Sequence, residues 1–373
     1  MSWAIWITGI PGSGKSALAR AAADELRATG ERVRVLELDE IRKTLTPEPR
    51  YTDAERDLVY RALAYMAWLL TDAGVPVIVD ATAHRRAWRD LARAAISRFA
   101  EVQLVCRPEI ARERERARAD SHAPRGIYER AGQPGATVPG VDVVYEPALA
   151  PELVLDSAAE SVPAAAVRVA ELGRRLASAI PAEPAARPPG WAIWITGRPG
   201  SGKTSVAGRV AGALTARAVP VRVLDLATAR RWLLPGDAPS AWQQEIAHRA
   251  LGYAAKLLTE AGIAVIIDAT APRRAWRQAA RALIPCFAEV QLVCPVDVCV
   301  ERERAVRWGL GAELGDLHRG RPTPGPDLAL DYEESLRPEL VLHTGLHDAD
   351  TAAEQVLFLA HRLRAVSVAI ESP

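Results

Sequence analysis

An eight-residue loop motif occurs twice in this chain. Gly9-Ile10-Pro11-Gly12-Ser13-Gly14-Lys15-Ser16 returns as Gly197-Arg198-Pro199-Gly200-Ser201-Gly202-Lys203-Thr204, and Trp-Ala-Ile-Trp-Ile-Thr precedes each copy. The spacing is that of a phosphate-binding loop, which must sit between a buried strand and the start of a helix so that backbone N–H groups turn inward on phosphate oxygens. Both copies meet that context, with an apolar run before the loop and, in the first copy, a helix-forming run over 17–28 after it. The chain is therefore expected to build two nucleotide sites on parallel-sheet scaffolds.

The repeat extends far beyond the loop. Lys203 lies 188 positions after Lys15, and the same offset aligns Leu69-Leu70-Thr71-Asp72-Ala73-Gly74 with residues 257–262, Asp80-Ala81-Thr82 with Asp268-Ala269-Thr270, and residues 99–106 with 287–294. Residues 151–155 match 338–342 at an offset of 187, so the halves differ by a net single residue before that point. The Pro/Ala-rich run over 180–190 has the composition of a semi-rigid linker. We read two tandem α/β P-loop domains, 1–178 and 191–373, joined by a linker over 179–190, each a mostly parallel sheet with helices on both faces. In the first half, strands are predicted over 4–8, 33–38, 75–79, 102–106 and 153–155. Capping-box spacing at Thr52/Glu55 and Ser240/Gln243 predicts a long helix from each.

Composition excludes some partners. A net charge of +1 argues against the basic surface of a nucleic-acid binder. No apolar run approaches the roughly 20 residues of a membrane span, and no N-terminal signal pattern is evident, so the chain reads as soluble, without a membrane partner. Its cysteines, Cys106, Cys286, Cys294 and Cys299, form no CxxC pair. Buried free thiols in a reducing cytoplasm are the expectation.

The chemistry gathers around the loops. Gly9, Pro11, Gly12, Ser13, Gly14 and Lys15, and in the second copy Gly197, Pro199, Gly200, Ser201, Gly202 and Lys203, are expected to hold nucleotide phosphates, with Ser16 and Thr204 on Mg²⁺. Asp39, read at the end of the second strand, either accepts a proton from a hydroxyl and approaches Mg²⁺, or caps a helix. Asp80 ends an apolar strand where P-loop enzymes place an acid near Mg²⁺, although capping a helix or orienting Thr82 fits as well. Arg114 stands in an alternating charge run, Arg112 to Arg116, that is either a solvated helix face or the source of an arginine that closes over ATP. His84 has no partner at metal-ligand spacing and reads as a surface histidine.

These residues resemble the adenylylsulfate kinase family. Glu37-Leu38-Asp39-Glu40-Ile41-Arg42 is similar to its Asp-Gly-Asp-Asn-Ile-Arg, and Tyr51-Thr52-Asp53-Ala54-Glu55-Arg56 with Arg61 to its Phe-Ser-x-x-x-Arg and following arginine. Arg125-Gly126-Ile127-Tyr128 resembles its Lys-Gly-Leu-Tyr lid, and residues 139–146 its Thr-Gly-Ile-Asp-x-Pro-Tyr-Glu. The resemblance implies phosphoryl transfer from ATP, with Mg²⁺, to the 3′-hydroxyl of adenylylsulfate, giving 3′-phosphoadenylylsulfate for sulfate assimilation. It implies Lys15, Asp39 and Arg114 as catalytic residues and Arg42, Tyr51, Arg56, Arg61, Arg125 and Tyr128 as acceptor contacts. The chain departs where the family has an asparagine (Val59), a lid phenylalanine (Val138) and Ser-Pro-Tyr-Arg (Thr82-Ala83-His84-Arg85), and residues 116–123 are extra. A kinase for another small-molecule or nucleotide-sugar hydroxyl, or a non-catalytic nucleotide switch, therefore stays open.

The second half keeps its loop but not its acceptor side. Ala227 stands for Asp39, Pro239 for Tyr51 and Gln244 for Arg56, whereas Arg230 and Arg249 repeat Arg42 and Arg61. The expectation is a catalytic first half and a degenerate, nucleotide-binding second half. The two would pack as an internal pseudo-dimer that is able to assemble further.

Overall fold

The computed structural model describes residues 1–117, 126–133, 135–178, 187–234, 236, 239–313 and 331–370. The chain divides into two compact units, Met1–Ala185 and Ala186–Pro373. Most of the predicted linker lies outside the described residues.

The first unit runs β1 (Ala4–Thr8), α1 (Lys15–Ala28), β2 (Arg34–Glu37), α2 (Leu38–Leu45), α3 (Asp53–Asp72), β3 (Val77–Asp80), α4 (Arg86–Ala95), β4 (Phe99–Val105), α5 (Pro108–Ala117), a 3₁₀ turn (Tyr128–Arg130), β5 (Leu153–Asp156) and α6 (Val162–Ala177). The second repeats the plan as β6 (Ala192–Gly197), α7 (Lys203–Ala216), β7 (Val221–Asp225), α8 (Leu226–Leu233), α9 (Ala241–Glu260), β8 (Ala264–Asp268), α10 (Arg274–Leu283), β9 (Phe287–Val293), α11 (Val296–Glu313), β10 (Leu340–His343) and α12 (Ala349–Ile370). Each sheet is parallel and five-stranded, in the order β2-β3-β1-β4-β5 and its equivalent β7-β8-β6-β9-β10.

Burial on both faces explains why β1 is apolar without alternation: it lies between β3 and β4, and Ala4 to Ile7 are fully buried. Ile5 and Ile7 pack with Leu18 and Leu26 of α1 and Val169 of α6. Trp6 faces the other side, where its indole N–H donates to the Ala81 carbonyl at 3.1 Å, and Trp194 does the same to Ala269 at 2.9 Å. Those bonds satisfy the polar edge of an otherwise apolar ring. The four cysteines are free and buried. Among the described residues no helix is long and apolar enough to cross a membrane.

Strand β4 begins at Phe99, three residues before the sequence-based start, because Glu101 interrupts its apolar pattern. That carboxylate is buried against Arg89 of α4, whose side chain is fully enclosed. Arg89 Nε donates to Glu101 at 2.5 Å, one Nη to the Ala83 carbonyl, and the other Nη to the Glu146 carbonyl at 2.6 Å. One guanidinium thus ties α4, β4, the loop after β3 and the segment returning from the lid. Arg277 repeats the arrangement with Glu289, Ala271 and Glu333.

Breaking one partner of a buried pair leaves a charge without compensation. Arg89→Ala is expected to destabilise the first unit by about 3–5 kcal/mol, whereas Arg168→Ala, at an exposed pair with Glu160, costs under about 1 kcal/mol. Urea unfolding of both variants against wild type checks this; equal midpoints would contradict it.

Candidate active site

In each unit the phosphate-binding loop leaves the carboxyl end of the central strand and enters the following helix. The chain reaches the sheet on either side of β1, so the loop opens on the crevice where open α/β sheets take ligands. Gly14 caps α1 in the left-handed region at φ 99°, and Gly12, at φ 75°, lies so close to Ala111 that a Cβ would meet its carbonyl oxygen at 2.2 Å. Both positions require glycine. Lys15 Nζ donates to the Ile10 carbonyl at 2.9 Å, across the mouth of the loop.

A cavity of about 560 Å³ opens beside this loop. Pro11, Gly12, Gly14, Lys15, Ser16, Asp39, Arg42, Tyr51, Arg56, Asp80 and Arg114, all singled out in the sequence, line it. Seven cationic side chains face it (Lys15, Arg20, Arg42, Arg50, Arg56, Arg114, Arg130) against three acidic ones (Asp39, Asp80, Glu115). Such an excess of positive charge favours a polyanionic ligand.

Asp80 ends β3 and is almost wholly enclosed; the Ser16 hydroxyl hydrogen-bonds it and Lys15 is its nearest cation. Burial raises its pKa to about 6, against the opposing pull of Lys15 and Ser16. It caps no helix, since the residue before α4 is Arg85. Asp268 and Thr204 repeat the pair, and burial again raises the carboxyl. A hydroxyl oxygen and a carboxylate at a phosphate loop are hard donors, with few enough protein ligands to leave room for phosphate and water oxygens, so the donor set fits Mg²⁺.

Asp39 corrects the sequence reading in one respect. Strand β2 stops at Glu37, and Asp39 lies in the first turn of α2, with Glu37 rather than Asp39 at the cap. In the second unit Asp225, at the Glu37 position, caps α8 by accepting from Thr228 N at 2.7 Å.

The acceptor-like wall depends on Glu55. Thr52 accepts from Glu55 N at 3.2 Å as a capping box requires, but the Glu55 carboxylate does not return to the cap. It instead accepts from the backbone N–H groups of Arg50 at 2.7 Å and Tyr51 at 3.2 Å and pairs with Arg42 at 3.5 Å. Tyr51 is thereby held at φ 54°, an uncommon conformation for a non-glycine residue, with the Arg42 and Arg56 guanidinium groups 5.5 and 6.0 Å from its ring centre. In the second unit Gln243 closes an ordinary capping box with Ser240. Arg56 donates to Thr137 through Nη2, at 3.0 Å to the carbonyl, while its buried Nη1 has no partner among the described residues.

Three expectations change. Arg61 does not line the cavity; it bonds Asp57 at 2.6 Å. Five residues along a helix turn a side chain by about 140°, which carries Arg61 off the face that Arg56 presents. Tyr128 packs with Cys106, Ala111 and Val138 and donates its hydroxyl to the Pro11 carbonyl at 2.7 Å, so it ties the lid to the phosphate loop rather than lining the cavity. Burial pushes its pKa up to about 12. His84 is not on the surface: it is buried, edge-on to Trp88, and lines the cavity. Arg125 lies outside the described residues.

Arg114 is exposed at the cavity rim, where it bonds Ser157 at 3.0 and 2.7 Å, and Arg302 likewise reaches the Thr344 carbonyl at 3.0 Å. Sequence reasoning passed over Glu115, whose Oε1 accepts from Ile127 N at 3.1 Å while its buried Oε2 has no partner among the described residues. It also passed over Arg50, Tyr60 and Arg130; nothing in local spacing marks residues that a lid and a loop bring together from a distance.

A phosphate-binding loop on a five-stranded parallel sheet, a carboxyl-lined crevice and a lid define a P-loop kinase. The adenylylsulphate kinase model matches residues 1–156 and again 189–342, so the chain belongs to the adenylylsulphate kinase family, in tandem duplicate. A probable adenylyl-sulfate kinase of Archaeoglobus fulgidus is 37% identical over 160 residues, 42% of this chain and 97% of the relative. An adenylyl-sulfate kinase of a Synechococcus strain is 34% identical over 160 residues, 42% of this chain and 86% of the relative. The solved Mycobacterium tuberculosis APS kinase in complex with AMPPNP and APS is 27% identical, covering 47% of this chain and 99% of that one at a TM-score of 0.39.

The Asp80 shift fixes a pH dependence. Because its folded pKa, about 6, exceeds the ordinary 3.8, the folded state binds the proton more tightly; stability from this group is complete below pH 3.8 and lost as pH rises through about 6. Asp80→Asn should therefore gain about 2–3 kcal/mol of unfolding free energy relative to wild type between pH 4 and pH 7, ligand-free. Urea titrations at both pH values measure it, and a pH-independent difference would contradict the assignment.

Proposed function

We propose that residues 1–178 form an ATP-dependent kinase that phosphorylates the 3′-hydroxyl of adenylylsulfate, and that residues 191–373 bind nucleotide without transferring its phosphoryl group. The observation that carries this reading is the single cavity wall that joins the loop to Asp39, Tyr51, Arg42 and Arg56. Its excess of positive charge suits an acceptor that is itself anionic. Family membership and the Archaeoglobus relative support the same acceptor.

In this mechanism the loop amides and Lys15 bind the donor phosphates at the N-terminus of α1. Tyr51 packs against the acceptor base, and Arg42 and Arg56, the latter through its unpartnered Nη1, hold the acceptor's charged groups. Asp39 orients the acceptor hydroxyl and takes its proton as the hydroxyl oxygen bonds the γ-phosphorus and the bond from that phosphorus to the β,γ-bridging oxygen breaks, releasing ADP. Arg114 stands at the rim beside Gly14, where a guanidinium neutralises charge on the transferring group. Closure of the lid, tied to the loop by Tyr128, excludes water. Ser16 and Asp80 would hold Mg²⁺, which supplies charge neutralisation on the donor phosphates.

In the second unit Lys203, Thr204 and Asp268 persist, whereas Ala227 supplies no carboxylate and Pro239 and Gln244 no aromatic ring or guanidinium. Loss of a positioned acid or base costs roughly 10²–10⁴ in rate. Lys15→Ala and Asp39→Asn should each lower adenylylsulfate phosphorylation by at least about 10²-fold, while Lys203→Ala retains most of it. Product formation from ATP and adenylylsulfate, resolved by chromatography, reads all three. A loss confined to Lys203→Ala, or equal losses in both lysine variants, would overturn the division of labour.

A further inference from the structure

Position 84 has a backbone role that is the same in both halves and a side chain that is not. The His84 carbonyl accepts from Glu146 N at 2.8 Å, and in the second unit the Pro272 carbonyl accepts from Glu333 N at 2.9 Å. Equivalent buried arginines, Arg89 and Arg277, anchor the two loops through the Ala83 and Ala271 carbonyls, and both loops put the preceding alanine at positive φ, 40° and 41°. An imidazole is therefore not needed to build this loop. Proline occupies the position in the unit that has also lost the counterparts of Tyr51 and Arg56.

In the first unit the imidazole is only 3% exposed and packs edge-on against Trp88, with ring centres 5.0 Å apart. Trp88 is itself stacked on Tyr60 at 4.2 Å and anchored through its indole N–H on Asp57. The Tyr60 hydroxyl in turn accepts from Ala83 N at 3.0 Å. The ring is thus held rigidly on the cavity wall beside Arg56 and Tyr60, and it makes no hydrogen bond to the described residues. Burial, with Arg56 and Arg85 nearby, lowers its pKa to about 4, so near neutral pH the ring offers one N–H donor and one nitrogen acceptor and no charge.

We propose that His84 is a specificity-determining residue of the acceptor site, hydrogen-bonding an uncharged hydroxyl or amino group of the acceptor while Arg42 and Arg56 hold its charge. The inference rests on the kinase reading of residues 1–178 and adds what that reading lacks, a neutral polar contact that distinguishes one anionic acceptor from another. Sites that hydrogen-bond a substrate group reject analogues lacking it, because the protein's own polar atom is then left unpaired.

The test uses the full chain with ATP and adenylylsulfate. His84→Phe preserves an aromatic ring against Trp88 and removes both nitrogens; His84→Gln keeps a donor and an acceptor. The phenylalanine variant is expected to raise the acceptor KM about tenfold, with the ATP KM unchanged within about twofold and the glutamine variant recovering most of the loss. Among acceptor analogues each lacking one hydroxyl or amino group, one should discriminate about tenfold less between wild type and His84→Phe than adenylylsulfate does. Should His84→Phe fail to fold, the same analogue series on wild type and His84→Ala reads the contact. An unchanged acceptor KM, or an equal rise in the ATP KM, overturns the proposal and leaves the kinase reading standing. Absence of adenylylsulfate turnover by wild type overturns both.

Discussion

A fully buried guanidinium sets the geometry on which the site depends. Arg89 joins the central sheet, through Glu101, to the loop that carries His84 and to the chain returning from the lid at Glu146. The carboxylate of Glu146 then accepts from Arg86 N at 2.7 Å and closes the start of α4. A charge so placed is tolerated only with its partners present, and those partners come from three separate segments outside α4. The acceptor wall is therefore held to the same strand that neighbours the phosphate loop, which fixes the distance between the two halves of the cavity.

Duplication makes the division between scaffold and chemistry visible. Arg277 keeps its three partners, Trp194 and Thr196 keep their bonds to the loop after β8, and Glu333 keeps its bond to Arg274 N. What differs lies on the cavity side. Glu55 turns its carboxylate from the helix cap to the amides of Arg50 and Tyr51, whereas Gln243 stays on its own cap. Asp225 caps α8, and the residue two positions later is alanine. The second unit repeats what folds the sheet and what surrounds the phosphate loop, and carries Ala227, Pro239 and Gln244 where the first has Asp39, Tyr51 and Arg56.

Much of this was legible in the sequence where the determinants are local. The loop with its flanking strand and helix, the internal repeat, the helix starts at Thr52 and Ser240 and the presence of five strands in the first half all follow from spacing and apolar pattern. The errors share a cause. Asp39 was read one element early because β2 is only four residues long and runs straight into α2. Glu101 hid the start of β4 because a buried carboxylate looks like a surface residue until its arginine is seen. Arg61 and Tyr128 were assigned by motif alone, and helical rotation and lid packing direct them elsewhere. His84 carries no local signal: its burial depends on Trp88 and Tyr60, which approach it only in the folded chain.

The proposed division of labour, two nucleotide sites and one acceptor site per chain, makes a stoichiometric demand. Calorimetric titration of the full chain with a non-hydrolysable ATP analogue, followed by adenylylsulfate in its saturating presence, addresses it directly. Two nucleotides and one acceptor bound per chain is the expected result. Two acceptors per chain, or none, would contradict it.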